Sequence, residues 1–90
     1  MIAVHVLTHE TMHMAGSTDE AITECRAMQR DAETARLLGA ETGPARALAV
    51  RYWQEVYPSM PENYRSGECR PGGALDEHRP DPPWPVPPVS

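Results

Sequence analysis

The last twenty residues contain seven prolines. Proline removes a backbone donor and fixes its own φ, so a stretch this rich in it forms neither a regular helix nor an interior strand and favours extended polyproline backbone. The fold must therefore come from the first seventy residues, and the sequence divides into a domain over 1–70 and an extended or disordered tail over 71–90. Trp84 within the tail is suited to anchoring an extended strap on that domain. Seventy residues bury only a modest core, so a metal ion or a cross-link would add materially to stability.

Within those seventy residues the pattern is helical, and no alternating strand pattern is present. A first helix is expected from about Ile2 to Met14, with Gly16 suited to reversing the chain. A second begins at Ser17-Thr-Asp-Glu20, where Ser17 and Glu20 have capping-box spacing, and ends near Leu38, before Gly39. A third begins with Pro44 at its first position and stops before Pro58. Its apolar residues Ala45, Leu48, Ala49, Tyr52, Trp53 and Val56 recur at helical spacing and define one buried face. The expected architecture is a mostly α, three-helix domain with a proline-rich tail.

Thirteen acidic residues against eight basic ones give a net charge of −5. This excludes the basic footprint that nucleic acid or an anionic membrane surface requires. No apolar run reaches the length of a membrane span, and Met1–Leu7 is too short and too polar at His5 for a secretory signal. Cys25 and Cys69, 44 positions apart, allow one intramolecular pairing. Their spacing is not that of a zinc knuckle. A disulfide between them suits an exported protein, and two buried thiols suit a cytosolic one.

The chemistry concentrates in His9-Glu10-Thr11-Met12-His13. On a helix His9 and His13 are separated by about 400° of rotation and roughly 6 Å of rise, so both imidazoles leave the same face. That spacing suits two nitrogens on one zinc. Glu10 sits beside such a metal rather than on it, where a carboxylate can take a proton from an activated water. His5 extends the ladder, but it lies about 12 Å along the axis from His13 and cannot share a zinc with it. It is expected to be half-buried or to support the ligands. His78, in a loop, is expected at the surface, and Tyr52 in the core.

A catalytic zinc needs a third protein ligand, and the chain offers Asp19, Glu20 and Glu24. The apolar stripe Ala21, Cys25, Met28, Ala32 and Ala35 of the second helix centres nearer Glu24 than Glu20. Glu20 has a role as capping partner and Asp19 as a first-turn acid. Elimination favours Glu24, with Glu20 and Asp19 as alternatives.

The stretch Val6-Leu-Thr-His-Glu-Thr-Met-His-Met-Ala15 resembles the active-site helix of the zincin metallopeptidases. It is closer to the gluzincin plan, in which a Glu from a later helix completes the site, than to the metzincin plan, which Asp19 would satisfy. The resemblance implies a zinc-dependent hydrolase acting on a peptide or protein substrate, with His9 and His13 as ligands and Glu10 as general base. Zincins usually carry an edge strand upstream of this helix to align the substrate. Its absence here implies that the chain is the C-terminal part of a longer enzyme or has lost that alignment. The alternative function is a small helical binding or regulatory module with a structural or vestigial zinc site.

Overall fold

The structure, a computed structural model, describes residues 2–14 and 19–85. Four α-helices account for most of its regular backbone: α1 (Ile2–Met14), α2 (Glu20–Met28), α3 (Asp31–Leu37) and α4 (Thr42–Arg51). There is no strand among the described residues. A π-helical turn, Tyr52–Val56, follows α4 directly, and two 3-10 turns, Tyr57–Ser59 and Glu62–Tyr64, complete the helical segments.

The first helix has the expected bounds, but the turn expected at Gly16 and the cap expected at Ser17 lie outside the described residues. The cap of α2 is Asp19, whose extended backbone (φ −83°, ψ 124°) and side chain accepting from the Ile22 amide at 3.0 Å satisfy an amide that the helix itself leaves unpaired. Glu20 is therefore not needed as a capping partner.

Over residues 19–38 the single helix expected from Ser17 to Leu38 is two helices, so the described residues form four α-helices rather than three. The chain turns at Gln29 and Arg30 and restarts at Asp31, where Asp31 and Glu33 place negative charge at the positive end of α3. The cause of the break is tertiary. Buried Gln29 donates from Nε2 to the Leu75 carbonyl at 2.9 Å and accepts from the Glu77 amide at 2.7 Å, tying the end of α2 to a distant loop. The end of α3 falls where Gly39 predicts it. Gly39 at φ 108° lets its own amide reach the Arg36 carbonyl and the Ala40 amide reach that of Ala35. Helix α4 starts two residues before Pro44, which then sits within the first turn, where its missing N–H costs nothing.

Helix α1 packs against α2 and α3, α3 against α4, and α2 against the turn Glu62–Tyr64. The apolar core gathers Cys25, Met28, Tyr52, Tyr57, Cys69 and Trp84, flanked by Trp53, Val56, Met60 and Leu75. The Cys25 and Cys69 sulfurs stand at 2.14 Å and their Cα atoms at 5.7 Å, linking α2 to the loop after Tyr64. Residues 71–85 run as turns and irregular backbone along this body. Arg30 pairs with Glu77 at 2.6 Å, Arg36 pairs with Asp81, and Trp84 is buried edge-on against Trp53 at 5.7 Å. Residues 86–90 lie outside the described part.

Helix α1 inverts the usual order. It buries His5, Thr8 and His9, while Val6 and Leu7 are more than half exposed. A helix in so small a core that turns its imidazoles inward is organised around those imidazoles, since burying polar groups costs free energy unless each is paired.

Candidate metal centre

Three histidines on one face of α1 meet three carboxylates from α2 and α3. Successive i, i+4 steps place His5, His9 and His13 along the helix. Glu20 and Glu24 repeat that step on α2, so the two ladders face each other rung by rung. Asp31 joins from the first position of α3.

At the solvent end, His9 Nε2, His13 Nε2 and Glu20 converge. The two nitrogens are 3.0 Å apart, His13 Nε2 is 2.8 Å from Glu20 Oε1, and His9 Nε2 is 3.3 Å from Glu20 Oε2. Ligand atoms at 2.0–2.1 Å from a tetrahedral zinc lie ~3.3 Å from one another, so these edges are of the size that a metal needs. At the inner end, His9 Nδ1 is 3.0 Å from Glu24 Oε1, the same oxygen that meets His5 Nε2, and His5 Nδ1 is 2.7 Å from Asp31 Oδ2. Among the described residues two groups could hold a metal ion: His9, His13 and Glu20, half-open to solvent, and His5, His9 and Glu24, fully buried.

The grouping expected from the sequence, His9 and His13 with Glu24, is thus not the one that the fold assembles. Glu24 is the buried carboxylate, as its place on the wheel predicts, but it meets His9 through the opposite ring nitrogen from the one facing His13. Glu20 takes the place beside both histidines. Asp19 caps α2. Glu10 is exposed and lines the cleft that opens onto His9 and His13, with Val6, Met60 and Tyr64 on its other walls. The cleft measures about 380 Å³. Tyr64, which sequence reasoning left without a role, lines the cleft with Glu20, and that carboxylate holds its phenol above the ordinary tyrosine range. No spacing in the sequence links Tyr64 to Glu20; the link comes from α2 packing on the Glu62–Tyr64 turn.

His5 lies between two carboxylates, and Tyr52 stacks on its ring at 4.1 Å. Burial by itself would favour the neutral ring, but the bonds to Asp31 and Glu24 and the charges of both outweigh it and raise the His5 pKa to about 9. Burial also opposes ionisation of Glu24, yet His5 and then His9 pull it below the usual carboxylate value. For Asp31 burial prevails and the pKa is raised. Tyr52 is pushed upward too, by burial first and then by the charges of Glu24 and Asp31.

These shifts set the pH response of the metal-free protein. A histidine titrating near 6.5 when unfolded and about 9 when folded contributes its full stabilisation below pH 6.5 and loses it as pH rises through 9. The ceiling is on the order of 3 kcal/mol. The raised pKa of Asp31 returns part of it. The Glu24 contribution is present above the usual carboxylate pKa and fades in acid, so chelated protein should be most stable in the mildly acidic window between the usual carboxylate pKa and about pH 6.5. Its urea midpoint should fall clearly between pH 6.5 and 9.5, and an unchanged midpoint would show that the His5 ring is not charged.

No family model, curated protein or solved structure matches this chain. No helix among the described residues is long and apolar enough to cross a membrane.

Proposed function

We propose that the protein is a zinc-dependent hydrolase of the metallopeptidase type, with His9, His13 and Glu20 as the zinc ligands and Glu10 as the general base. The observation that carries this reading is the convergence of two imidazole nitrogens and one carboxylate within 3.3 Å at the mouth of an open cleft. Two histidines and a Glu are a donor set of catalytic zinc sites, which leave a further position to water. Zinc supplies a Lewis acid that lowers the pKa of water toward 7.

The residues divide the remaining work. Glu10 follows His9 in sequence and stands at the solvent side of the cleft, where its carboxylate can accept a proton from water and return it to a leaving amine. Val6, Met60 and Tyr64 offer partly apolar walls to an extended peptide. No Arg lines the cleft among the described residues, which disfavours phosphate esters and other strongly anionic substrates.

Elemental analysis of zinc-reconstituted, desalted protein should give about one zinc per chain, and Glu20→Gln should leave no stoichiometric zinc. A wild-type protein without zinc would end the reading. An E20Q variant that still retains zinc would remove Glu20 from the ligand set.

A further inference from the structure

The inner carboxylates have no place in the chemistry just described, yet they are the most completely buried charged groups of the fold. Glu24 and Asp31 are at most 1% exposed, and Glu24 Oε2 and Asp31 Oδ1 are buried without a hydrogen-bond partner among the described residues. Apolar side chains of similar volume would serve stability better than two half-satisfied carboxylates around an imidazole. A purely structural role therefore fits the arrangement poorly.

Hydrogen-bond directions are fixed from the deep end. Both nitrogens of His5 face carboxylate oxygens, at Asp31 and at Glu24, and an ionised carboxylate only accepts. His5 therefore donates from both nitrogens and pins Glu24 Oε1 in place. The same oxygen faces His9 Nδ1 at 3.0 Å, so His9 donates there as well. A neutral imidazole carries one proton. With a metal on Nε2 that proton must sit on Nδ1, where Glu24 accepts it, while Nε2 faces His13 at 3.0 Å and Glu20 at 3.3 Å.

From this we infer that Glu24 is a positioning residue, held by His5 and Asp31, which keeps His9 in the Nδ1–H tautomer and so presents Nε2 to a metal at the outer group. The consequence for metal binding rests on the zinc reading above; the tautomer itself does not. The carboxylate also steadies the ring and increases the basicity of the ligating nitrogen. The same geometry makes the buried group of His5, His9 and Glu24 a poor second metal site, because His5 has no lone pair to offer while both its nitrogens donate.

The test has two parts. In zinc-free protein, nitrogen-detected NMR of the imidazole rings should show His9 protonated at Nδ1, and both nitrogens of His5 protonated. His9 found as the Nε2–H form would overturn the inference whether or not the protein binds zinc. In competitive titrations, Glu24→Gln should weaken zinc about 10–100-fold while still binding one zinc per chain at saturation. Asp31→Asn, one bond further away, should weaken it less and leave the His9 tautomer largely intact. Unchanged affinity in folded E24Q would overturn the inference. So would loss of stoichiometric zinc in E24Q with retention in E20Q, which would make Glu24 a ligand. A wild-type protein that binds no zinc would remove the hydrolase reading and leave the tautomer measurement to decide this one. The NMR measurement needs no variant, so a failure of E24Q to fold leaves it decisive.

Discussion

Glu10→Gln should retain close to one zinc per chain while hydrolysis of a peptide substrate falls about 10²–10⁴-fold, the usual contribution of a positioned base. The substitution keeps the shape of the side chain and removes its ability to take a proton at neutral pH. Glu10 is exposed on the cleft side of α1 rather than built into the core, so the change should be thermodynamically quiet. Glu and Gln also have similar helix propensities. The effect should therefore fall on kcat with little movement of the urea midpoint. Unaltered, chelator-sensitive cleavage by E10Q would refute the mechanism even with zinc in place. Zinc lost together with activity would assign Glu10 to the support of the ligands instead.

The second large effect concerns Cys25 and Cys69. A cross-link spanning 44 residues removes loop-closure freedom from the unfolded chain worth about 4 kcal/mol in the chain-entropy account. A domain of this size has a total stability on the order of 5–13 kcal/mol, so reduction should remove a large share of it. Reduction, or the double change Cys25→Ser with Cys69→Ser, should lower the melting temperature by roughly 20 °C. The link also ties the loop that follows Met60 and Tyr64 to the residue next to Glu24, so zinc affinity should fall with it. A melting temperature indifferent to reductant would show that the two sulfurs are not joined in solution.

Much of the helical content is legible in the sequence because it is encoded locally. The bounds of α1 and the closure of α3 at Gly39 follow from periodicity and from one residue able to adopt positive φ. The break between α2 and α3 is not legible, since its cause is Gln29 reaching residues 75 and 77. The local reading of the site stops at Glu20. Ser17 and Glu20 have capping-box spacing, which gives Glu20 an occupation that Asp19 performs in the structure. The wheel ranks Glu24 as the more buried carboxylate and is right about depth, but depth alone does not say which imidazole nitrogen a carboxylate meets. His5 lies in register with His9 and His13, yet its partners come from two other helices, and only tertiary packing brings them together.

The turn Tyr52–Val56 carries a consequence of another kind. Its Tyr57 amide bonds the Tyr52 carbonyl five residues back, which makes it a helical turn with one residue more than the α repeat requires. An extra residue advances every later side chain by about 100° around the axis. The continuous stripe read from Ala45 to Val56 is therefore split into two phases. Ala45 and Ala49 belong to the first, on the helix that packs against α3, and Tyr57 and the loop of Cys69 belong to the second, with Tyr52 at the seam covering His5. Deleting one residue from this turn would bring the two halves into phase and return the chain to an ordinary helix. It would also rotate the segment that follows, which carries Met60 and Tyr64 of the cleft wall and then Cys69, so the length of a five-residue turn sets the alignment of residues on either side of the site.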